Sequence, residues 1–171
     1  MNVVRLFDDN LSQLGEKKEL MFEGEDFTNR QVIDVGCRLA SGLRQLDYTR
    51  GDHIAVCLPN RVEVLGVFQA IWRIGAVCVP IMFRMQAAEA SYILAHSDAT
   101  AIITCSDLLP MIEKARAAID SIRHIIVTDT TPSAGGIGLD TILDDASAVL
   151  KTEDMDGDDV AQIIYTSGTT G

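Results

Sequence analysis

The stretch "GDHIAVCLPNRVEVLGVFQAIWRIGAVCVPI", Gly51 to Ile81, decides the fold class of this chain. Its start, "GDHIAVCLP", is typical of a turn followed by a buried strand, and its end, "AVCVPI", is typical of a second short strand. Between them, Asn60 and Glu63 have the spacing of a helix capping pair, and Gly75 closes the helix "VEVLGVFQAIWRIG". That helix is apolar around most of its circumference, so we expect other layers on both sides of it. The stretch therefore predicts a strand–helix–strand unit.

Helical and strand-like segments alternate along the rest of the chain in the same way. Thr28 and Gln31 form a capping box ahead of a helix with one apolar face, and the helix "QAAEASYILAHS" precedes the strand "ATAIIT". Ser106 or Asp107 caps "LLPMIEKARAAI", which precedes the strand "HIIVTD". A last strand, "VAQIIY", ends at Tyr165. This order predicts an α/β fold, a mostly parallel sheet with helices on both faces and right-handed crossovers.

These patterns divide the chain into four segments. Residues 1–27 form an N-terminal segment with a small hairpin in "ELMFEGEDF", and residues 28–129 form the α/β core. Residues 130–159 form a flexible acidic connector with a short helix in "LDTILDDASAVL". The carboxylates near its end are expected to be solvated, without a fixed scaffold. Residues 160–171 form the last strand and a truncated loop.

Composition and charge disfavour several classes of function. The 171 residues are 47% hydrophobic and 23% charged, which is ordinary for a globular protein of one domain or slightly more. The net charge of −11 repels polyanions, so we expect no nucleic-acid partner. The longest uncharged apolar run, "IGAVCVPIMF", is shorter than the ~20 residues of a membrane span. The acidic start lacks a signal-peptide core, so a cytoplasmic location is expected.

The cysteines and histidines show no metal-binding pattern. Cys37, Cys57, Cys78 and Cys105 lie far apart among apolar neighbours, as small buried hydrophobic residues do in a reducing compartment. The histidines are equally scattered, and a solvated or structural role is expected for each. We therefore predict no metal site from these residues.

The chain ends in "TSGTTG", directly after the last strand. Gly168 and Gly171 allow positive φ, so successive backbone amides can point into one concavity, while the hydroxyls can contact phosphate oxygens or Mg²⁺. Composition alone favours a plain loop or a frayed terminus. The position favours a ligand loop, because ligands bind at the carboxyl ends of parallel strands. Among the given residues no Lys follows Gly171, so we do not expect the GxxxxGK[ST] motif here.

The order of these segments resembles the adenylate-forming superfamily, which includes acyl- and aryl-CoA synthetases, firefly-type luciferases and the adenylation domains of peptide synthetases. "YTSGTTG" is similar to the signature loop of that family, which usually continues to a Pro, a Lys and a Gly that this chain does not reach. "FTNRQVIDVGCRLASGLRQL", the Gly51–Ile81 stretch and "FRMQAAEASYILAHSDATAIIT" resemble the preceding family blocks in order, with Arg84 at the usual arginine position. The similarity spans roughly Phe27 to Gly171 and implies an incomplete N-terminal part of the adenylate-forming ligase fold.

The resemblance implies a two-step ligase reaction. A small-molecule carboxylic acid attacks the α-phosphate of Mg-ATP to give an acyl-adenylate and pyrophosphate, and a thiol, usually that of coenzyme A, then takes the acyl group. The signature loop wraps the phosphates of the leaving pyrophosphate, where amides and hydroxyls stabilise developing charge. ATP, Mg²⁺ and coenzyme A are the implied cofactors. The implied phosphate contacts are Thr166, Ser167, Gly168, Thr169, Thr170 and Gly171.

Several alternatives stay open at this point. No residue is assigned a catalytic role, since the later family motifs lie beyond Gly171, and the chain alone is expected to be inactive. Arg84 either contacts a phosphate or carboxylate, or forms an ion pair with Glu89 or another acid. Trp72 is expected in the core rather than at a ligand. The alternative class of function is a stand-alone, non-catalytic binding or assembly module that self-associates through bare strand edges and apolar helix faces.

Overall fold

The computed structural model describes residues 1–129, 136–144 and 151–166. Helices and strands alternate over these ranges, beginning with a helix and a small hairpin. The helices are α1 (Arg5–Leu14), α2 (Asn29–Gln45), α3 (Glu63–Arg73), α4 (Ala87–His96), α5 (Leu109–Arg116) and α6 (Leu139–Asp144), with a 3₁₀ turn at Ser106–Leu108. The strands are β1 (Lys18–Phe22), β2 (Glu25–Thr28), β3 (His53–Cys57), β4 (Val77–Pro80), β5 (Ala101–Thr104), β6 (His124–Val127) and β7 (Ile137–Gly138).

The centre of the molecule is a five-stranded parallel sheet in the order β4-β3-β5-β6-β7. β3 pairs with β4 on one side and with β5 on the other, so the strand order changes direction at β3. The unit predicted from Gly51–Ile81 is present, because α3 is the crossover helix between β3 and β4. The predicted fold class, an α/β protein with a mostly parallel sheet and helices on both faces, is confirmed.

Alternate residues of each strand face opposite helix layers. Ile54 and Val56 of β3 pack against α2, α3 and α6, whereas Ala55 and Cys57 pack against α4 and α5. Burial on both faces explains why β3 is a continuous apolar run rather than an alternating one. Each buried Val, Leu or Ile side chain stabilises the fold by about 1.5–3 kcal/mol. No helix in the described ranges is both long enough and apolar enough to cross a membrane.

The helix caps separate local predictions that hold from those that fail. Thr28 caps α2 and forms the predicted capping box with Gln31. The cap predicted at Asn60 is wrong, because α3 begins at Glu63 with Val62 at its N-cap and no side-chain cap. Asn60 therefore lies too far upstream to reach the amides of the first turn.

The cap predicted at Ser106 or Asp107 is also wrong. α5 begins at Leu109 behind the 3₁₀ turn, and no side chain caps either element. Ser106 instead donates from its backbone amide and its hydroxyl to the Asp129 carboxylate, at 2.8 and 3.1 Å. The Ser106 hydroxyl thus donates to a carboxylate that follows β6, instead of accepting a hydrogen bond from an amide of the helix.

The hairpin is present as predicted, and the connector departs from its prediction. β1 and β2 pair antiparallel around Glu23 and Gly24, both of which have positive φ. Residues 130–135 lie outside the described ranges, but Ile137–Gly138 form β7 beside β6, so this end of the connector belongs to the sheet. The helix predicted from Leu139 is present as α6, and its predicted continuation over residues 145–150 lies outside the described ranges.

We call residues 151–159 the strap. Its carboxylates were expected to be solvated and without a fixed scaffold. Asp154 is solvated, with 72% of its side chain exposed, but the absence of a scaffold is wrong for three carboxylates. They form ion pairs with arginines of α1, of α2 and of the turn before β3, so the strap lies along the surface of the core. The pairs are Arg5–Asp154, Arg44–Glu153 (2.7 Å) and Arg50–Asp159 (2.8 Å).

A buried arginine fixes the start of the strap. Arg73 of α3 is only 2% exposed and donates to both carboxylate oxygens of Asp8 in α1, at 2.9 and 2.5 Å. It also donates to the Thr152 hydroxyl of the strap at 3.1 Å. Burial opposes the charge, but Asp8 offsets that effect and raises the pKa of Arg73. Arg73 therefore joins α1, α3 and the strap at one point.

We call residues 160–165 the edge segment, because they lie beside β4 at the edge of the sheet. A full strand was expected here, and this expectation is wrong: Gln162 forms a single parallel bridge with Cys78. Two backbone hydrogen bonds hold it, Cys78 N to Ala161 O at 3.0 Å and Ile163 N to Cys78 O at 2.9 Å. The division of the chain into segments 1–27, 28–129, 130–159 and 160–171 stays a prediction.

Candidate functional site

The edge segment ends at the carboxyl edge of the sheet. It runs parallel to β4, so Tyr165 and Thr166 lie at the same end as the residues that follow β4. A groove of about 770 Å³ opens there between the edge segment and the start of α4. Its lining is largely apolar and includes Met82, Arg84, Met85, Tyr92, Tyr165 and Thr166. Parallel α/β sheets bind ligands at this end of their strands.

The structure places one of the six predicted phosphate contacts. Thr166 is exposed and lines the groove. Ser167, Gly168, Thr169, Thr170 and Gly171 lie outside the described ranges, so their role as phosphate contacts stays a prediction.

Arg84 lies in the same groove and is exposed. Its guanidinium carbon lies 5.4 Å from the centre of the Phe83 ring, and within the described residues it makes no ion pair. Glu89, the partner considered from the sequence, instead accepts a hydrogen bond from the backbone amide of Gln86 at 2.8 Å and completes the capping box of α4. The ion-pair alternative with Glu89 is therefore wrong, and Arg84 is a cation available to an anion in the groove.

Tyr165 is held by two aromatic side chains of α4. Its hydroxyl and Nδ1 of His96 are 2.7 Å apart and share a hydrogen bond. Its ring meets those of His96 and Tyr92 edge-on, with centroids 5.7 and 6.4 Å away, and the rings of Tyr92 and His96 stack at 5.4 Å. Burial, helped by Tyr92, raises the pKa of Tyr165. Tyr165 therefore packs against α4 at the end of the edge segment.

The contribution of His96 and Tyr92 was missed from the sequence. The available signal was their spacing, since two aromatic side chains four residues apart lie on one face of a helix. Their partner lies 69 residues further along the chain than His96, so only the packing of the edge segment on β4 brings the three rings together.

A second polar cluster lies at the carboxyl ends of β3, β5 and β6. Arg61 donates to the Asp129 carboxylate at 2.8 Å, and Asp129 also accepts the two hydrogen bonds from Ser106. Although burial opposes ionisation, the Ser106 and Arg61 hydrogen bonds lower the pKa of Asp129. The charges are paired within the cluster, so it joins three loops rather than presenting a free binding group.

The amino end of the sheet carries another tyrosine–histidine pair. The hydroxyl of Tyr48 and Nδ1 of His124 are 2.8 Å apart, and Tyr48 is fully buried beneath the Arg123 guanidinium, 4.2 Å from the ring centre. Burial raises the pKa of Tyr48 to about 12. Burial, together with the charge of Arg123, lowers the pKa of His124. This pair lies at the opposite end of the strands from the groove.

Trp72 and the cysteines Cys57 and Cys78 contribute to packing rather than to the groove. Trp72 packs against the core, as expected, and donates from Nε1 to the Ala161 carbonyl of the edge segment at 3.0 Å. Cys57 and Cys78 are buried, and burial raises the pKa of both thiols to about 12, so they remain protonated near neutral pH. In the part of the chain that the structure describes, no three His, Cys, Asp or Glu side chains form a group that would hold a metal ion.

The fold defines an α/β protein with a groove at the carboxyl edge of its parallel sheet, the edge at which proteins of this architecture bind ligands. The family model described as "AMP-binding enzyme" matches residues 7–171, and the chain belongs to this family. The predicted resemblance to the N-terminal part of the adenylate-forming fold is thereby confirmed.

Individual relatives support the assignment. The chain is 28% identical over 178 residues to a crotonobetaine/carnitine–CoA ligase of Salmonella paratyphi A, covering 99% of this chain and 34% of that protein. It is 36% identical over 147 residues to the long-chain-fatty-acid–CoA ligase FadD13 of Mycobacterium tuberculosis, covering 84% of this chain and 28% of that protein. The chain thus spans about a third of the length of the curated relatives it matches.

A solved structure shows the same backbone arrangement. The anthranilate CoA ligase AuaEII, in complex with anthranoyl-AMP, superposes with a TM-score of 0.94 at 26% identity. The match covers 100% of this chain and 33% of that chain.

Proposed function

We propose that this chain forms the N-terminal part of an AMP-forming acyl-CoA ligase. The observation that carries the proposal is the family match over residues 7–171, together with relatives that are CoA ligases. In the proposed reaction, a carboxylic acid and ATP give an acyl-adenylate and pyrophosphate, and the thiol of coenzyme A displaces AMP to give the acyl-CoA.

The residues at the carboxyl edge suit the phosphate part of this reaction. Thr166 is exposed at the start of the signature loop, and Arg84 lines the same groove without an acidic partner among the described residues. We assign Thr166, Ser167, Gly168, Thr169, Thr170 and Gly171 to the binding of the pyrophosphate leaving group. Their hydroxyls and amides donate hydrogen bonds to its oxygens, which stabilises the charge that develops there. Mg²⁺, when bound, neutralises part of that charge.

Arg84 supplies the only positive charge among the described residues that line the groove, and Glu89, whose carboxylate caps α4, supplies a negative one. The chain has a net charge of −11, so an anionic ligand must be held by local contacts rather than by the general field. An exposed guanidinium beside the loop attracts such a ligand and binds phosphate or carboxylate oxygens with two parallel hydrogen bonds.

The carboxylic acid is to be identified by experiment. The relatives named above act on a carnitine-type acid, a long-chain fatty acid and anthranilate, which differ in charge, length and aromaticity. We propose that the acid is recognised by parts of the protein outside this chain. A cytoplasmic location likewise remains a prediction.

The test is carboxylate-dependent exchange of labelled pyrophosphate into ATP by the full-length protein. A panel of short, long-chain, aryl and zwitterionic acids should contain at least one that supports exchange. A folded full-length protein that exchanges pyrophosphate with none of these classes would contradict the proposed function.

Threonine variants of the same protein test the loop assignment. Thr166→Ala should lower kcat/KM for ATP about ten- to a hundredfold, the range expected when a hydrogen bond to a charged group is removed. Thr141→Ala is the matched control, because Thr141 is an exposed threonine of α6 beside the opposite edge strand. Equal decreases of kcat/KM for ATP in the two variants would contradict the assignment of Thr166 to the phosphate site.

We further propose that the 171-residue chain by itself has no adenylation activity and self-associates. Val160 and Ile164 of the edge segment are 56% and 68% exposed, and a strand edge with apolar side chains favours pairing with a second copy. Light scattering of the isolated chain should show a mass that rises with concentration. A monomer that is stable across dilution, or pyrophosphate exchange by the isolated chain, would contradict this proposal.

A further inference from the structure

We propose that His96 and Tyr165 are positioning residues for the signature loop, and that their hydrogen bond fixes the base of the loop against α4. The proposal rests on the proposed function for its kinetic consequence only. The contact itself is a property of the described structure and is tested separately.

The backbone of the edge segment is bonded to the sheet at one residue of β4. Cys78 makes two backbone hydrogen bonds to it, the second with the amide of Ile163. Between Ile163 and Thr166, the described structure contains no further backbone hydrogen bond to the sheet. In the described structure, the last backbone hydrogen bond to the sheet is therefore made by Ile163, three residues before Thr166.

Beyond the last of these backbone hydrogen bonds, side chains attach the edge segment to the core. Ile163 and Tyr165 both pack against the α4 and α5 side of the core, and Ile164 between them is 68% exposed. The Tyr165 hydroxyl bonds to His96 at 2.7 Å, and its ring lies edge-on against those of Tyr92 and His96. Tyr165 is thus the last side chain with a described anchor before Thr166.

The rigid partner is α4. Its inner face is buried through Ala90, Ile93 and Leu94, and His96 is its last residue, followed by the buried C-cap residue Ser97. A hydrogen bond to such an element restricts the two torsions of the Tyr165 side chain and, through them, the direction in which the chain leaves the sheet. Catalytic groups misplaced by about 1 Å can lose roughly a hundredfold in rate, so a fixed loop base matters for the reaction.

The chain contains its own control for the chemistry of the bond. Tyr48 and His124 form the same type of hydroxyl–imidazole hydrogen bond at 2.8 Å, at the other end of the strands, and the Tyr48 hydroxyl also donates to the Thr100 carbonyl at 3.3 Å. Tyr→Phe at either position removes one hydroxyl and keeps the ring. Tyr48→Phe removes at least as much hydrogen bonding as Tyr165→Phe, so a larger effect of Tyr165→Phe on Ile163 reports position in the fold and not the loss of a hydrogen bond as such.

The first test measures amide hydrogen exchange at Ile163 in the full-length protein. Tyr165→Phe and His96→Ala should each speed exchange of this amide about three- to tenfold, the range of one net hydrogen bond. The double variant should exchange no faster than the faster single one, because both remove the same bond. His96→Gln, which retains a hydrogen-bonding side chain, should restore much of the protection. Tyr48→Phe should change the exchange rate of the Ile163 amide no more than the exchange rates of other core amides.

The second test measures the kinetics of the same variants. Tyr165→Phe should lower kcat/KM for ATP by about tenfold and leave the KM for the carboxylic acid unchanged. Tyr48→Phe should leave the KM for ATP at the wild-type value while lowering the thermal midpoint. A merely structural role of Tyr165 predicts instead a loss of active protein with both KM values unchanged.

Each outcome decides one of the two proposals. The proposal that the Tyr165–His96 hydrogen bond anchors the loop base would be overturned by either of two results. One is that Tyr165→Phe and His96→Ala have additive effects on Ile163 exchange, and the other is that Ile163 exchanges equally fast in the two Tyr→Phe variants. Faster exchange without a change in kcat/KM for ATP would show that the anchor does not position the loop. A wild-type protein without pyrophosphate exchange would contradict the proposed function, and the exchange at Ile163 would then decide the anchor alone.

Discussion

Two tyrosine–histidine pairs lie at opposite ends of the same parallel sheet and differ mainly in burial. The hydroxyl–Nδ1 distances are 2.8 Å for Tyr48–His124 and 2.7 Å for Tyr165–His96, and in both pairs the ring centroids are 5.7 Å apart in an edge-on arrangement. Tyr48 is fully buried, whereas Tyr165 is half-buried and His96 is exposed.

The difference shows how surroundings change what one hydrogen bond contributes. At the buried pair, losing one partner leaves a polar atom without water, and the penalty appears as lost stability. At the surface pair, water replaces the missing partner, so the bond contributes little to stability. Its contribution is geometric, because it fixes the chain just before the signature loop.

The largest effect is expected from removing each tyrosine ring. Tyr48→Ala should lower the free energy of unfolding by about 3–5 kcal/mol, as for other buried aromatic side chains, because it opens a cavity beneath Arg123. Tyr165→Ala should lower it by about 1 kcal/mol, because less apolar area is lost. Urea unfolding followed by circular dichroism measures both, and similar losses would remove the distinction between the two pairs.

A smaller effect is expected at alkaline pH. The pKa of Tyr48 is raised from 10 in the unfolded chain to about 12 in the fold, so the folded state favours the protonated phenol. The resulting stability is fully present below pH 10 and is lost as the pH rises towards 12, by roughly 2 kcal/mol. The difference in unfolding free energy between wild type and Tyr48→Phe should shrink by that amount over this range. A constant difference would contradict the buried-phenol assignment.

The Tyr48–His124 pair also predicts that the free energy of unfolding decreases at acidic pH. The pKa of His124 is lowered from 6.5, so the fold favours the neutral imidazole. The stability it contributes is present above pH 6.5 and is lost as the pH falls from there towards the lowered value. Unfolding free energies of wild type and His124→Asn should therefore converge as the solution is acidified. Parallel pH profiles would show that His124 does not titrate differently in the folded and unfolded states.

The smallest effect is expected in the strap, which leads to the Tyr165 end of the sheet. Glu153→Gln breaks the half-buried pair with Arg44 and should cost at most about 1 kcal/mol, less in concentrated salt. Asp158→Asn is the matched control, because Asp158 is exposed and has no ion pair in the described ranges. Equal stability of the two variants would show that the strap is held by Arg73 and its backbone contacts rather than by its surface charges.

The regular elements were predictable because their determinants are local. The apolar run of β3, the capping box at Thr28 and the closing Gly75, with φ of 74°, each depend on a few neighbouring residues. The caps predicted at Asn60 and Ser106 failed because a helix started later than its capping pattern suggested, and because Asp129 took the hydrogen bonds of Ser106. In the second case the partner comes from another strand, which no local pattern contains.

The sequence by itself determined the α/β class, the family and the position of the signature loop after the last strand-like run. These depend on periodicity and on the order of motifs, which are properties of the chain read in one direction. Only the tertiary structure decided that the strap is held by ion pairs, that the edge segment makes a single bridge, and that Arg84 has no acidic partner among the described residues. Those outcomes, like the pairing of His96 with Tyr165, depend on side chains far apart in the chain. Their distances are set by how the layers pack, which is why the sequence pattern does not contain them.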